Sequence, residues 1–239
     1  MKLVIANHKM NLTLPEIIDY KKKIKEIDTS KVKLVICPSL PYLNELYSNN
    51  YYLGSQNVGI LQGGSLTGEV SAKQLSFLHV SYVIVGHSER RIILNEDNSM
   101  IRKKIEQVLK TGMRIILCIG ENKEENKRGK TKKVLKDQIT SILANLSNDE
   151  LSKIVIAYEP IWSIGTGVIP ENSEINDTVE FIKNVINDEY NQDIKVLYGG
   201  SINADNIEIL EKIDNIDGYL IGGASLNPNK LKTIIDKVR

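Results

Sequence analysis

Short runs of β-branched and other apolar residues recur along the whole chain, beginning near Leu3, Leu34, Tyr51, Tyr82, Ile115, Ile154, Val196 and Tyr219. Most are continuously apolar rather than alternating, which is the pattern of strands buried on both faces. Helical spacing fills the intervals. Ile101, Ile105, Val108 and Leu109 fall at i, i+4, i+7 and i+8, and Val134, Leu135, Gln138, Ile139, Ile142, Leu143 and Leu146 line one face of another helix. The strand starts lie about 31 residues apart, matching a βαβ unit of about 30 residues or more. Eight such units suggest a sheet closed on itself, and a (β/α)8 barrel takes about 250 residues, close to the 239 present. The expectation is an α/β protein with a parallel eight-stranded closed sheet, a single domain over residues 1–239, since no Gly/Pro/Ser-rich linker or shift in composition divides the chain. A doubly wound open sheet is the alternative.

The formal net charge of +1 supplies none of the strong positive field that binding to nucleic acid needs. The longest apolar stretches hold five or six residues, such as 115–119, whereas a membrane helix needs about 20. Neither nucleic acid nor a membrane is expected as a partner. Only residues 3–6 are apolar before Asn7, too few for a secretory signal, and Cys37 and Cys118 form neither a disulfide framework nor a metal spacing. The reading is a reduced, cytoplasmic protein. Two charged stretches, residues 20–26 (YKKKIKE) and 121–133 (ENKEENKRGKTKK), read as solvated helix faces or loops. Gly129-Lys130-Thr131 resembles the end of a phosphate loop, but Glu124 stands where the first glycine is required. Likewise Gly165-Thr166-Gly167 runs into Pro170 where a dinucleotide fingerprint needs its third glycine.

A barrel of this kind carries its active site at the C-terminal ends of its strands, so polar residues that follow an apolar run are the candidates. They are Asn7 and Lys9, Gln56 and Asn57, His87, Cys118 and Glu121, Glu159, Ser201, and the turn glycines Gly222 and Gly223. Together they bring a carboxylate, an imidazole, an ammonium and an amide to one end of the fold.

The segments that hold these residues resemble triosephosphate isomerases. The matching stretches, in order, include Ala6-Asn7-His8-Lys9-Met10-Asn11, Val85-Gly86-His87-Ser88-Glu89-Arg90-Arg91, Leu117-Cys118-Ile119-Gly120-Glu121, Ala157-Tyr158-Glu159-Pro160-Ile161-Trp162, Tyr198-Gly199-Gly200-Ser201 and Ile221-Gly222-Gly223-Ala224-Ser225. They run through nearly the whole chain. The resemblance implies a TIM barrel that interconverts dihydroxyacetone phosphate and glyceraldehyde 3-phosphate through an enediolate, a step of glycolysis and gluconeogenesis, with no cofactor and no metal. It implies Glu159 as the base and His87 as the group that polarises the carbonyl. Ser88-Glu89-Arg90 reads as the first turn of a helix, whose positive end disfavours an imidazolium at His87. A Glu base beside a neutral His is this family's established pairing, so it follows here from the resemblance alone. Lys9, held by Glu89, and Asn7 would stabilise the oxyanion and contact substrate, and backbone N–H groups of Gly165, Ser201, Gly222 and Gly223 would grip the phosphate. The segment after Glu159 would be a lid that excludes water, with Trp162 at its hinge. A homodimer through the loop around Thr67 is implied as well.

Three departures from the family pattern bear on these expectations. The third-loop tip, Gly63-Gly64-Ser65-Leu66-Thr67-Gly68-Glu69, has Leu66 where a bulkier residue is usual; Ser163 replaces a common alanine; and Gly167-Val168-Ile169-Pro170 is about two residues shorter than the usual exit hinge. His8, in a position often held by tryptophan, and His79 read as structural, and Cys37 and Cys118 as packed thiols. Two other functions compete with the isomerase. One is a different phosphate-binding barrel, an aldolase or an amino-sugar isomerase, against which the run from Ile154 to Tyr158 contains no lysine for a Schiff base. The other is a catalytically silent binding barrel, which would have no use for a carbon-acid base.

Overall fold

The computed structural model describes residues 1–165 and 170–238. Eight strands, β1 (Lys2–Asn7), β2 (Val32–Cys37), β3 (Tyr52–Ser55), β4 (Val80–Val85), β5 (Arg114–Ile119), β6 (Ile154–Tyr158), β7 (Val196–Tyr198) and β8 (Gly218–Ile221), follow one another in chain order. Each pairs in parallel with the next, and β8 pairs with β1 from Leu3↔Gly218 to Ala6↔Ile221, closing a (β/α)8 barrel. The strands begin within about two residues of the apolar runs, the scatter normal for element ends.

Both faces of the sheet are buried, and strand periodicity explains how. Leu3, Ile5, Val35, Cys37, Tyr82, Ile84, Ile116, Cys118, Val155, Ala157, Leu197 and Leu220 form one cluster, the filled interior of the barrel. The residues between them, among them Val4, Ala6, Leu34, Ile36, Val83, Val85, Leu117 and Ile156, join a larger cluster with the helices. Successive side chains point to opposite faces, so the strands serve both clusters and have no polar face to show, except that β3 turns Gly54 toward interior Cys37 and Val35 and adds only Leu53 to the outer cluster.

The helices seal the outer layer with the faces their spacing predicts. Helix Asn98–Leu109 buries Ile101, Ile105, Val108 and Leu109, and its N-cap Asp97 accepts the Met100 N–H at 2.7 Å. Helix Thr131–Leu143 buries Leu135, Ile139, Ile142 and Leu143, ending before Leu146, which still packs on the core. In helix Leu14–Ile24 the stretch rich in lysine turns Tyr20 and Ile24 inward and keeps its lysines on the surface. One expectation fails at the second charged stretch. Glu121 is fully buried rather than solvated, because just past the end of β5 it turns against Tyr158 and Trp162, which donate to it. No helix among the described residues is long and apolar enough to cross a membrane.

Candidate active site

Asn7, Lys9, His87, Glu159, Gly165, Ser201, Gly222 and Gly223 line a single cleft of about 370 Å³ where the strands end. The alternation that builds the core carries two of them inward. Asn7 continues the interior series Leu3, Ile5, and Glu159 continues Val155, Ala157, so both side chains form the layer above the last apolar ones.

His87 reaches the cleft differently. Tyr82 and Ile84 point into the barrel, so strict alternation would send residue 87 outward with Val83 and Val85. Gly86 breaks the alternation with φ +73°, a conformation that favours glycine, and a Cβ there would meet Arg91 Nη2 at 3.1 Å and the Cys118 carbonyl at 3.2 Å. The chain then enters helix Ser88–Ile93 with His87 as its N-cap. His87 Nδ1 accepts the Glu89 N–H at 3.2 Å, which leaves the proton of a neutral ring on Nε2. That nitrogen faces Glu159 Oε1 at 3.1 Å, while Glu159 Oε2 accepts the Ser88 N–H at 3.0 Å. Glu159 is only 2% exposed, and these donors at a helix N-terminus are what make such burial of a carboxylate tolerable.

Lys9 adopts the left-handed region, φ +52°, which costs a non-glycine residue about 1–2 kcal/mol and persists only where the surroundings impose it. Here they do. Its N–H donates to Asn7 Oδ1 at 3.1 Å, and its carbonyl accepts from Ser39 Oγ at 2.9 Å and Gln56 Nε2 at 2.8 Å. The ammonium is thereby aimed across the cleft, 2.6 Å from Glu89 Oε1. A Cβ on Gly222 would lie 3.2 Å from Lys9 Cε, so the glycine leaves room for this side chain.

Gly223 opens a short 3-10 turn, Gly223–Leu226, whose first N–H groups have no acceptor within the turn. Opposite, Ser201 Oγ donates to the Ser163 carbonyl at 2.7 Å, tying the loop after β7 to the segment after β6. Trp162 Nε1 donates to Glu121 Oε1 at 2.8 Å, with Tyr158 Oη also on that oxygen at 3.3 Å. Burial pushes the Glu121 carboxyl up, and these donors oppose the shift. Residues 166–169, with most of the shortened exit hinge, lie outside the described residues.

Cys118 and Cys37 are both buried and unbridged. Burial, then the nearby Glu159 charge, push the Cys118 thiol well up, as suits a packed thiol rather than a nucleophile. His8 is fully buried, its ring set edge-on to Tyr20 at 4.6 Å between centroids, and His79 stacks on Tyr47 at 4.7 Å. Leu220, Ile164, Ile202, Asn203, Ala224 and Lys230 also line the cleft, and strand-end reasoning found none of them. The apolar ones look like any other core residue. Lys230 carried a legible signal, a cation in the first turn of a helix.

A family model described as triosephosphate isomerase matches residues 2–238. Curated proteins named triosephosphate isomerase are similar to the chain along its length. That of Francisella tularensis subsp. mediasiatica is 38% identical, covering 99% of this chain and 96% of its own. That of Colwellia psychrerythraea is 40% identical over 97% and 95%, and that of Clostridium botulinum 37% over 98% of both. With a closed (β/α)8 barrel, a match from the first strand to the last helix, and relatives of this identity, the chain belongs to the triosephosphate isomerase family.

Proposed function

We propose that the protein interconverts dihydroxyacetone phosphate and glyceraldehyde 3-phosphate, with Glu159 as base, His87 as electrophile, and Lys9 and Asn7 at the oxyanion. The observation that carries this reading is the buried pair of Glu159 and His87 Nε2, 3.1 Å apart, in one cleft with Lys9 and Asn7. A carbon acid beside a carbonyl needs a base at one atom and a proton donor at the next, within hydrogen-bond reach of each. The pair supplies both.

The steps balance as an isomerisation. A Glu159 oxygen takes a proton from C1 of dihydroxyacetone phosphate, and the C–H electrons form the C1–C2 double bond while the carbonyl pair moves to O2. His87 Nε2–H donates to O2, and the Lys9 ammonium meets the developing charge with a fixed positive one. The proton of O1 passes to O2, and the Glu159 carboxylic acid returns its proton to C2, leaving an aldehyde at C1. For this the carboxylate leaves His87 for the substrate, so that the imidazole proton it had accepted becomes free for the carbonyl. The phosphate would rest on N–H groups of Gly165, Ser201, Gly222 and Gly223, and at the three glycines the absence of a side chain lets an anion approach the backbone.

We also infer a homodimer through the loop around Thr67. Met10 is 95% exposed, Leu66 in that loop is exposed as well, and Ile92, Ile93 and Leu94 follow Arg90 as further exposed apolar side chains. Such a surface favours a partner.

The test is turnover of glyceraldehyde 3-phosphate by purified protein without added metal or cofactor, beside Glu159→Gln. Wild-type turnover that falls by on the order of 10³-fold in the variant is expected, the share a positioned base supplies. An active Glu159→Gln would remove Glu159 from the mechanism, and an inactive, folded wild type that binds phosphate would favour a silent barrel.

A further inference from the structure

We infer that Lys230 is a second cation for the phosphate end of the cleft, a rim ammonium that draws in the dianionic substrate without touching the reacting carbons. The inference rests on the reading of this cleft as a triose-phosphate site.

The first observation is position. Lys230 is exposed and lines the cleft together with Ser201, Asn203, Gly223 and Ala224, the side formed by the loops after β7 and β8. Lys9 and Glu159 stand with it on the walls.

The second is charge. Lys9 is already paired with Glu89, so those two charges cancel toward anything more than a few ångströms away. Glu159 is the carboxylate on the walls, and the buried Arg91 behind it offsets part of its charge. A phosphate monoester carries close to two negative charges at neutral pH, and Lys230 is the lining cation that no carboxylate already engages. Its positive charge sits at the mouth, where it acts on an approaching anion before contact.

The third is that local structure gives no reason for a cation there. Lys230 is the third residue of helix Pro228–Lys237, whose positive end disfavours a lysine. The N–H groups of Asn229 and Lys230 are already taken by Asn227 Oδ1, at 2.9 and 3.2 Å, and no acidic residue occupies the first turn. Among the described residues the Lys230 ammonium has neither a carboxylate nor a hydrogen-bond acceptor, unlike Lys232 and Lys237 further along the same helix, which pair with Asp236 and Glu208. An unpaired cation that its own helix disfavours is accounted for by an anion arriving from solution.

The experiment compares wild type, Lys230→Gln and Lys230→Arg, all full chains. At low salt Lys230→Gln is expected to lower kcat/KM for glyceraldehyde 3-phosphate about three- to tenfold with kcat nearly unchanged, as loss of a rim charge lowers the rate of encounter. The gap should close at about 1 M NaCl, where screening acts over about 3 Å. Lys230→Arg should restore the wild-type value, and D-glyceraldehyde, which lacks the phosphate, should turn over equally in all three. In calorimetric titration Lys230→Gln should bind inorganic phosphate more weakly by a similar factor, an arm that needs no turnover. The proposal is overturned by unchanged kcat/KM and phosphate affinity at low salt, or by a loss that is shared with D-glyceraldehyde or persists at high salt. Failure of the isomerase reading is read separately, from an inactive wild type.

Discussion

His8 lies between Asn7 and Lys9 in sequence, yet its ring has nothing to do with theirs. Neither of its nitrogens has a hydrogen-bond partner among the described residues, and burial lowers its pKa to about 4. An unfolded histidine titrates near 6.5. Between those values the unfolded chain binds a proton that the folded chain does not, so stability falls as pH drops from about 6.5 to about 4, by about 3 kcal/mol in all. His8→Phe keeps an aromatic ring against Tyr20 and removes the titration. Urea midpoints at neutral and at acid pH should therefore lie closer together in the variant than in the wild type; an identical pH dependence would show that His8 is not the group responsible. The same scale explains why His87 escapes alternation: the positive φ of Gly86 turns it into the cleft, where its Nε2 proton meets Glu159. The strand pattern alone gives no hint of that turn, which requires knowing what surrounds residue 86.

At the scale of elements, the segment after β6 hangs from β5. Trp162, in the short 3-10 turn Ile161–Ser163, donates to Glu121 just past the end of β5, and the Ile161 N–H donates to the Glu121 carbonyl at 3.1 Å. Glu121 falls in a run that reads as solvated because the residues after it are rich in charge, and its burial comes from the Tyr158 and Trp162 side chains packed on it. Glu121→Leu removes the acceptor and leaves the indole N–H unpaired, a loss of about 1–3 kcal/mol. Denaturant unfolding should register that loss. Trp162 is the sole tryptophan, so its emission should also shift in the variant before any ligand is added. Matching spectra for the two proteins would mean that Glu121 does not set the position of this hinge.

For the whole molecule, the strongest remaining demand is that of its exposed apolar surface. Met10 is a neighbour of Lys9, and Gln56, Gly68, Glu69 and Arg90 line a groove of about 320 Å³ beside it. The Lys9 carbonyl accepts from Gln56, so an association that covers this groove would also steady Lys9. If the loop around Thr67 joins two copies, replacing residues 63–68 with a short Gly-Ser link should convert a particle of about twice 26.9 kDa into one of that mass in analytical ultracentrifugation, and reduce kcat/KM on the order of tenfold or more. A sedimenting mass that does not change would place the interface elsewhere.

A parallel sheet was legible in the sequence because burial of both faces leaves mostly unalternating apolar runs, which a doubly wound open sheet would leave as well; eight runs about 31 residues apart in 239 residues favoured closure. The candidate residues were legible as polar groups at the ends of those runs, and their roles only through the resemblance. Tertiary structure decided the rest. It turned His87 inward at Gly86, held Lys9 in a left-handed conformation through Asn7, Ser39 and Gln56, buried Glu121 beneath Trp162, and brought Lys230 to the cleft from the last helix. Each depends on groups distant in sequence that meet only when the barrel closes, and local pattern records a residue's own propensity, not the partner waiting across the ring.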